Sequence, residues 1–207
     1  MPRMLLREPS FLRSSVAVFA QMFCLASTLL AVPLYLTRYA DESTVRAGLL
    51  VFGLPIAMTV LAPVSGLVTE VLGPRRAIRG GLAVLALGEA VLGIELAADA
   101  GRGFDLFGAL LLAGAGVAFV QTPAATGATR SAAGRFGSGL GLFNLLRFAG
   151  SALGAAWVAI ALEGGHPFGL LFGVCVAIAV LGLIGTFAGP DPDPEPAGLP
   201  VEAAVPG

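Results

Sequence analysis

Six apolar runs, interrupted by short polar stretches, occupy almost the whole chain. They lie at about residues 14–36, 47–69, 77–98, 106–127, 138–162 and 167–188. A helix needs roughly 20 apolar residues to cross a bilayer, and every run is long enough. A transmembrane barrel would show roughly 10-residue segments of alternating character instead. The pattern predicts an all-α membrane protein with six transmembrane helices. The first run is too long for a signal-peptide core and reads as a retained helix. The second contains Pro55 and Pro63, which membrane helices tolerate. Residues 1–13, with Arg3, Arg7 and Arg13, read as a basic leader. Residues 189–207 open with alternating proline and acid and carry too little apolar surface to fold, so a disordered tail is expected there.

Composition agrees with the pattern. Of 207 residues, 57% are hydrophobic and only 12% are charged, where a soluble domain carries about twice that charged share. Mean hydropathy is +0.90. The net charge of −1 leaves no basic footprint for nucleic acid. All basic residues are arginine, and their distribution gives an orientation. Arg3, Arg7, Arg13, Arg75, Arg76, Arg79, Arg130 and Arg135 fall on one side of the predicted membrane; Arg38, Arg46 and Arg102 fall on the other. The richer side is cytoplasmic by the positive-inside rule, which puts both termini in the cytoplasm of a multi-pass protein of the cell membrane.

Little points to an enzyme. There is no His/Cys/Asp cluster, no Ser-His-Asp set and no phosphate loop, and no metal or cofactor is expected. Cys24 and Cys175 sit mid-way along separate runs and read as small apolar side chains. His166 reads as a loop residue.

Polar groups inside the runs are the candidate chemistry. Arg147 lies deep in the fifth run, where a charge costs on the order of 3 kcal/mol, so it should face a wet cavity or a partner. It reads either as lining a substrate path or as tying two helices together through helix-end carbonyls and Asn144. Glu89, deep in the third run, reads either as a proton carrier or as a buried protonated acid bonded to a neighbouring helix. Gln21, Thr59, Gln121 and Thr122 are neutral groups that serve equally as interhelical bonds or ligand contacts. Gly137 and Gly141, like Gly150 and Gly154, are spaced four apart, a signal for close helix packing.

Between the second and third runs lie Gly66, Glu70, Gly73, Arg75 and Arg76. Glu70 there can pair with an arginine or cap a helix N-terminus, and the arginines fix topology. This set resembles the loop motif of the major facilitator superfamily, with Glu in place of the usual Asp and Val71 in place of the usual basic residue. Pro33-Leu34-Tyr35-Leu36, Ala47-Gly48-Leu49, Pro123 and the fifth-run set Gly137, Gly141, Asn144, Arg147, Gly150 and Gly154 are similar to the fourteen-span drug/proton antiporter branch of that superfamily. The register resembles only the C-terminal six-helix domain.

The resemblance implies two inverted three-helix repeats, with the first, second, fourth and fifth helices lining a cavity. That makes Gln21, Thr59, Gln121, Asn144 and Arg147 substrate or cavity candidates and moves Glu89 to the periphery. It also implies proton-coupled efflux of small amphipathic or drug-like molecules by a half-transporter. Such a half needs a second six-helix half or a same-orientation homodimer as partner. The alternative is a truncated or split membrane fragment with only a packing role.

Overall fold

The computed structural model describes residues 9–99, 103–130, 137–164 and 167–188. These residues form seven α-helices: α1 (Pro9–Arg38), α2 (Thr44–Val51), α3 (Gly53–Leu72), α4 (Pro74–Ala97), α5 (Phe104–Arg130), α6 (Gly137–Glu163) and α7 (Phe168–Gly185). Helices α2 and α3 together make one span, so six stretches are long and apolar enough to cross a membrane. The expected leader, tail and His166 lie wholly or largely outside the described residues; the exception is the end of the leader, where α1 already begins at Pro9.

The second span is broken where proline chemistry demands it. Pro55 has no N–H to give the carbonyl four residues earlier, that of Val51, and its ring crowds that carbonyl. Helix α2 ends at Val51 and α3 starts at Gly53, with Phe52 between them. Gly53 meets the ring of Phe107, so a side chain here would displace an aromatic ring on α5. Between α3 and α4 the chain turns on Gly73 alone, at φ +83°, a conformation that glycine adopts without steric cost.

Helix α1 is the hub and the most deeply buried span. It packs on α6, α7 and α5; α5 packs in turn on α4 and α3, and α4 on α7. One side of the bundle is therefore a row in the order α3, α5, α1, α6, and α4 and α7 back it. These contacts are unchanged when α1, α3 and α4 are exchanged for α5, α6 and α7: α1 on α6 becomes α5 on α3, and α4 on α5 becomes α7 on α1. Two three-helix units that exchange their middle helices in this way fit inverted repeats. Glycines permit the close approach. A Cβ on Gly114 would strike the carbonyl of Leu54, and one on Gly116 the backbone of Leu85.

Candidate substrate face and buried polar core

The five cavity candidates all stand on helices of the front row, but only two of them meet. The Gln21 side-chain amide donates to Gln121 Oε1 at 3.5 Å, joining α1 to α5. Gln21 is fully buried, and its own Oε1 has no partner. Thr59 is exposed on α3 and donates back to the Pro55 carbonyl at 2.9 Å, one turn earlier. Asn144 is exposed on α6. Arg147, on the same helix, is half-buried, and its Nε is buried without a hydrogen-bond partner. No bond joins Arg147 to Asn144 or to a helix-end carbonyl among the described residues.

Helix α6 is held to α1 by its glycines. Added Cβ atoms on Gly150 and Gly154 would run into the carbonyl oxygens of Phe19 and Phe23. Gly154 also accepts a hydrogen bond from Ser27 Oγ at 3.2 Å. Gly141 differs, with nothing within 4 Å of an added Cβ. Gly137 begins α6, and its side-chain position falls outside the described set.

Behind the face, α1 carries a second row of polar groups that the sequence did not connect. Thr28 Oγ1 lies 2.9 and 3.1 Å from the two carboxyl oxygens of Glu89 on α4. Both residues are fully buried. Glu89 stands on α4, which lies at the back of the bundle, and its side chain turns inward onto α1, bonded to a neighbouring helix as one of its two readings expects. One helical turn earlier, Cys24 Sγ donates to the carbonyl of Cys175 on α7 at 3.3 Å. The two thiols are free. They are 151 positions apart in sequence, and no spacing signal links them.

The loop motif also closes on an unexpected partner. Arg46 pairs with Glu42 at 3.2 Å, whereas Glu70, exposed at the end of α3, forms no ion pair with an arginine among the described residues. Arg75 instead donates to the carbonyls of Thr186 at 3.0 Å and Phe187 at 3.1 Å. Arg79 donates to Thr186 Oγ1 at 3.3 Å and its carbonyl at 3.2 Å, with its guanidinium 3.8 Å from the centre of the Phe187 ring. Arg13 reaches the carbonyl of Ala188 at 2.9 Å. A helix C-terminus leaves carbonyls without intrahelical partners and carries partial negative charge, so three guanidinium groups stabilise the end of α7. Gly66 has open space around it, and Arg76 is exposed.

Six apolar spans in this arrangement are consistent with one six-helix half of a secondary transporter. The chain belongs to the major facilitator superfamily, whose members are transporters and not enzymes; the match covers residues 14–205. It is 28% identical over 155 residues to the drug efflux pump JefA of Mycobacterium tuberculosis, a stretch that is 74% of this chain and 30% of JefA. It is 30% identical over 171 residues to the uncharacterized transporter YebQ of Escherichia coli, covering 79% of this chain and 35% of YebQ. The chain thus spans about a third of the length of these relatives.

Proposed function

We propose that the chain is one half of a proton-coupled exporter of small amphipathic molecules, of the fourteen-span drug/proton antiporter branch. It works only with a second six-helix half or a same-orientation second copy. The observation that carries this reading is the front row of helices. Asn144 is exposed and Arg147 half-buried on α6, well inside an apolar span. Lipid is a costly neighbour for a charge, and a facing half would turn the same residues toward a wet cavity. The similarity to JefA supports export of drug-like molecules. The second reading is a membrane fragment with only a packing role. Proton-driven uptake of an amphipathic dye into inside-out vesicles separates the two. The exporter predicts uptake that collapses with a protonophore, and the fragment predicts none.

Both termini face the cytoplasm in this reading. Ala98 and Ala188 are exposed at opposite ends of the bundle, and the native cysteines are fully buried and poorly accessible to reagents. In intact cells Ala98→Cys should react with an impermeant maleimide, and Ala188→Cys should react only after permeabilisation. The reverse pattern would invert the orientation.

A further inference from the structure

Helices α1 and α7 meet along a seam of small side chains. On α7 the seam is Cys175, Ala179 and Gly182, all buried. On α1 it is Ala17, Ala20 and Cys24, also buried. Residues three and four apart share one face of a helix, so each set lies in a row. Two glycines of α7 fix the register. A Cβ added to Gly185 would lie 3.2 Å from Val16 Cγ1, and one added to Gly182 would lie 2.8 Å from Ala20 Cβ. Numbers rise on α1 as they fall on α7, so the helices run antiparallel and Cys24 comes opposite Cys175.

The two cysteines meet there. Cys24 Sγ donates to the carbonyl of Cys175 at 3.3 Å, and the two thiol side chains lie within reach of each other. Both thiols are free and fully buried. Each stands about mid-way along its helix, near the middle of the bilayer. A disulfide needs its two Cα atoms within about 7 Å of each other. A seam of alanine and glycine lets helix backbones approach closely enough for that. The chain has two cysteines in all, so each is the other's one possible partner within the chain.

From this geometry we infer an oxidation site inside the bilayer, at which Cys24 and Cys175 close to a disulfide. The oxidant is a small, uncharged, membrane-soluble two-electron acceptor of the quinone or diazene class. Two S–H bonds break and one S–S bond forms. Both electrons and both protons pass to the acceptor, which leaves as a hydroquinone or a hydrazine. The bridge is as neutral as the thiols it replaces, so no charge is left in an apolar core. Burial shuts out charged, water-borne oxidants. The bridge ties α1 of the first three-helix unit to α7 of the second. Its formation requires neither transport nor a partner half, so loss of dye uptake leaves this inference standing.

The test treats the full chain in lipid nanodiscs with diamide, an uncharged diazene, and in parallel with oxidised glutathione, which is charged. Each sample is then denatured, and its free thiols are counted by the gel shift of a polymer-linked maleimide. Untreated and glutathione-treated protein should show both thiols. Diamide-treated protein should show none, and reduction after denaturation should restore both. Peptide mapping should find Cys24 joined to Cys175 within one chain. Three results would overturn the site: both thiols still free after diamide, a bridge between two chains in place of one within a chain, or equal oxidation by glutathione.

Discussion

Arg147→Ala should lower transport by a competent assembly about tenfold or more while leaving the amount of folded chain nearly unchanged. Arg147 lies ten residues into α6, roughly 15 Å from its start at 1.5 Å per residue. Its Nε is buried and has no hydrogen-bond partner among the described residues. Removing it therefore breaks no hydrogen bond found among them. Hydrogen bonds to charged groups contribute about 1.5–3 kcal/mol, which corresponds to about ten- to a hundredfold in rate if substrate or the facing half supplies the acceptor. Arg147→Lys should restore only part of the activity, because lysine keeps the charge but lacks the planar five-donor fork. Flux and fluorescence-detected size exclusion on the same preparations separate the effects. If folded protein falls in step with flux, Arg147 is a structural residue.

The second large effect is on stability. Gly150→Ala and Gly154→Ala should each destabilise the folded chain by about 1–3 kcal/mol, the range for overpacking a tight contact. The atoms that a new Cβ would meet are the Phe19 and Phe23 carbonyls. These are backbone of the hub helix and cannot swing aside like the tip of a flexible side chain. Relief requires α6 to move off α1, which would also strain the Ser27–Gly154 bond. Gly141→Ala is the internal control. It has open space, and alanine is the better helix former by about 1 kcal/mol, so its melting temperature should hold or rise. Equal losses at all three positions would show that the contact between α1 and α6 is not the cause.

The six-span architecture was legible because a bilayer sets one length scale and the chain repeats it six times. The break in α2–α3 was legible only in part. Pro55 marks it, but the same residue is compatible with a kinked continuous helix. What could not be read is which side chains meet. Thr28 finds Glu89 across 61 positions and Cys24 finds Cys175 across 151. Such meetings depend on helix rotation, and an apolar run in lipid has a weak amphipathic signal to fix it. Glu89 is an example: resemblance puts α4 outside, and only the rotation of α4 decides that Glu89 falls on its buried face. The arginines after Gly73 were legible as topology signals, but their partners are carbonyls at the far end of the chain, and backbone acceptors leave no trace in sequence.

In the function proposed above, one six-helix unit supplies one wall of a transport pathway and does not transport alone. Its most direct test is dye flux under an imposed proton gradient in proteoliposomes that contain only this chain, at protein-to-lipid ratios where cross-linking shows monomers. No proton-coupled flux is expected from monomers. Flux is expected once same-orientation dimers form or a second half is co-reconstituted. Proton-coupled flux from verified monomers would contradict it.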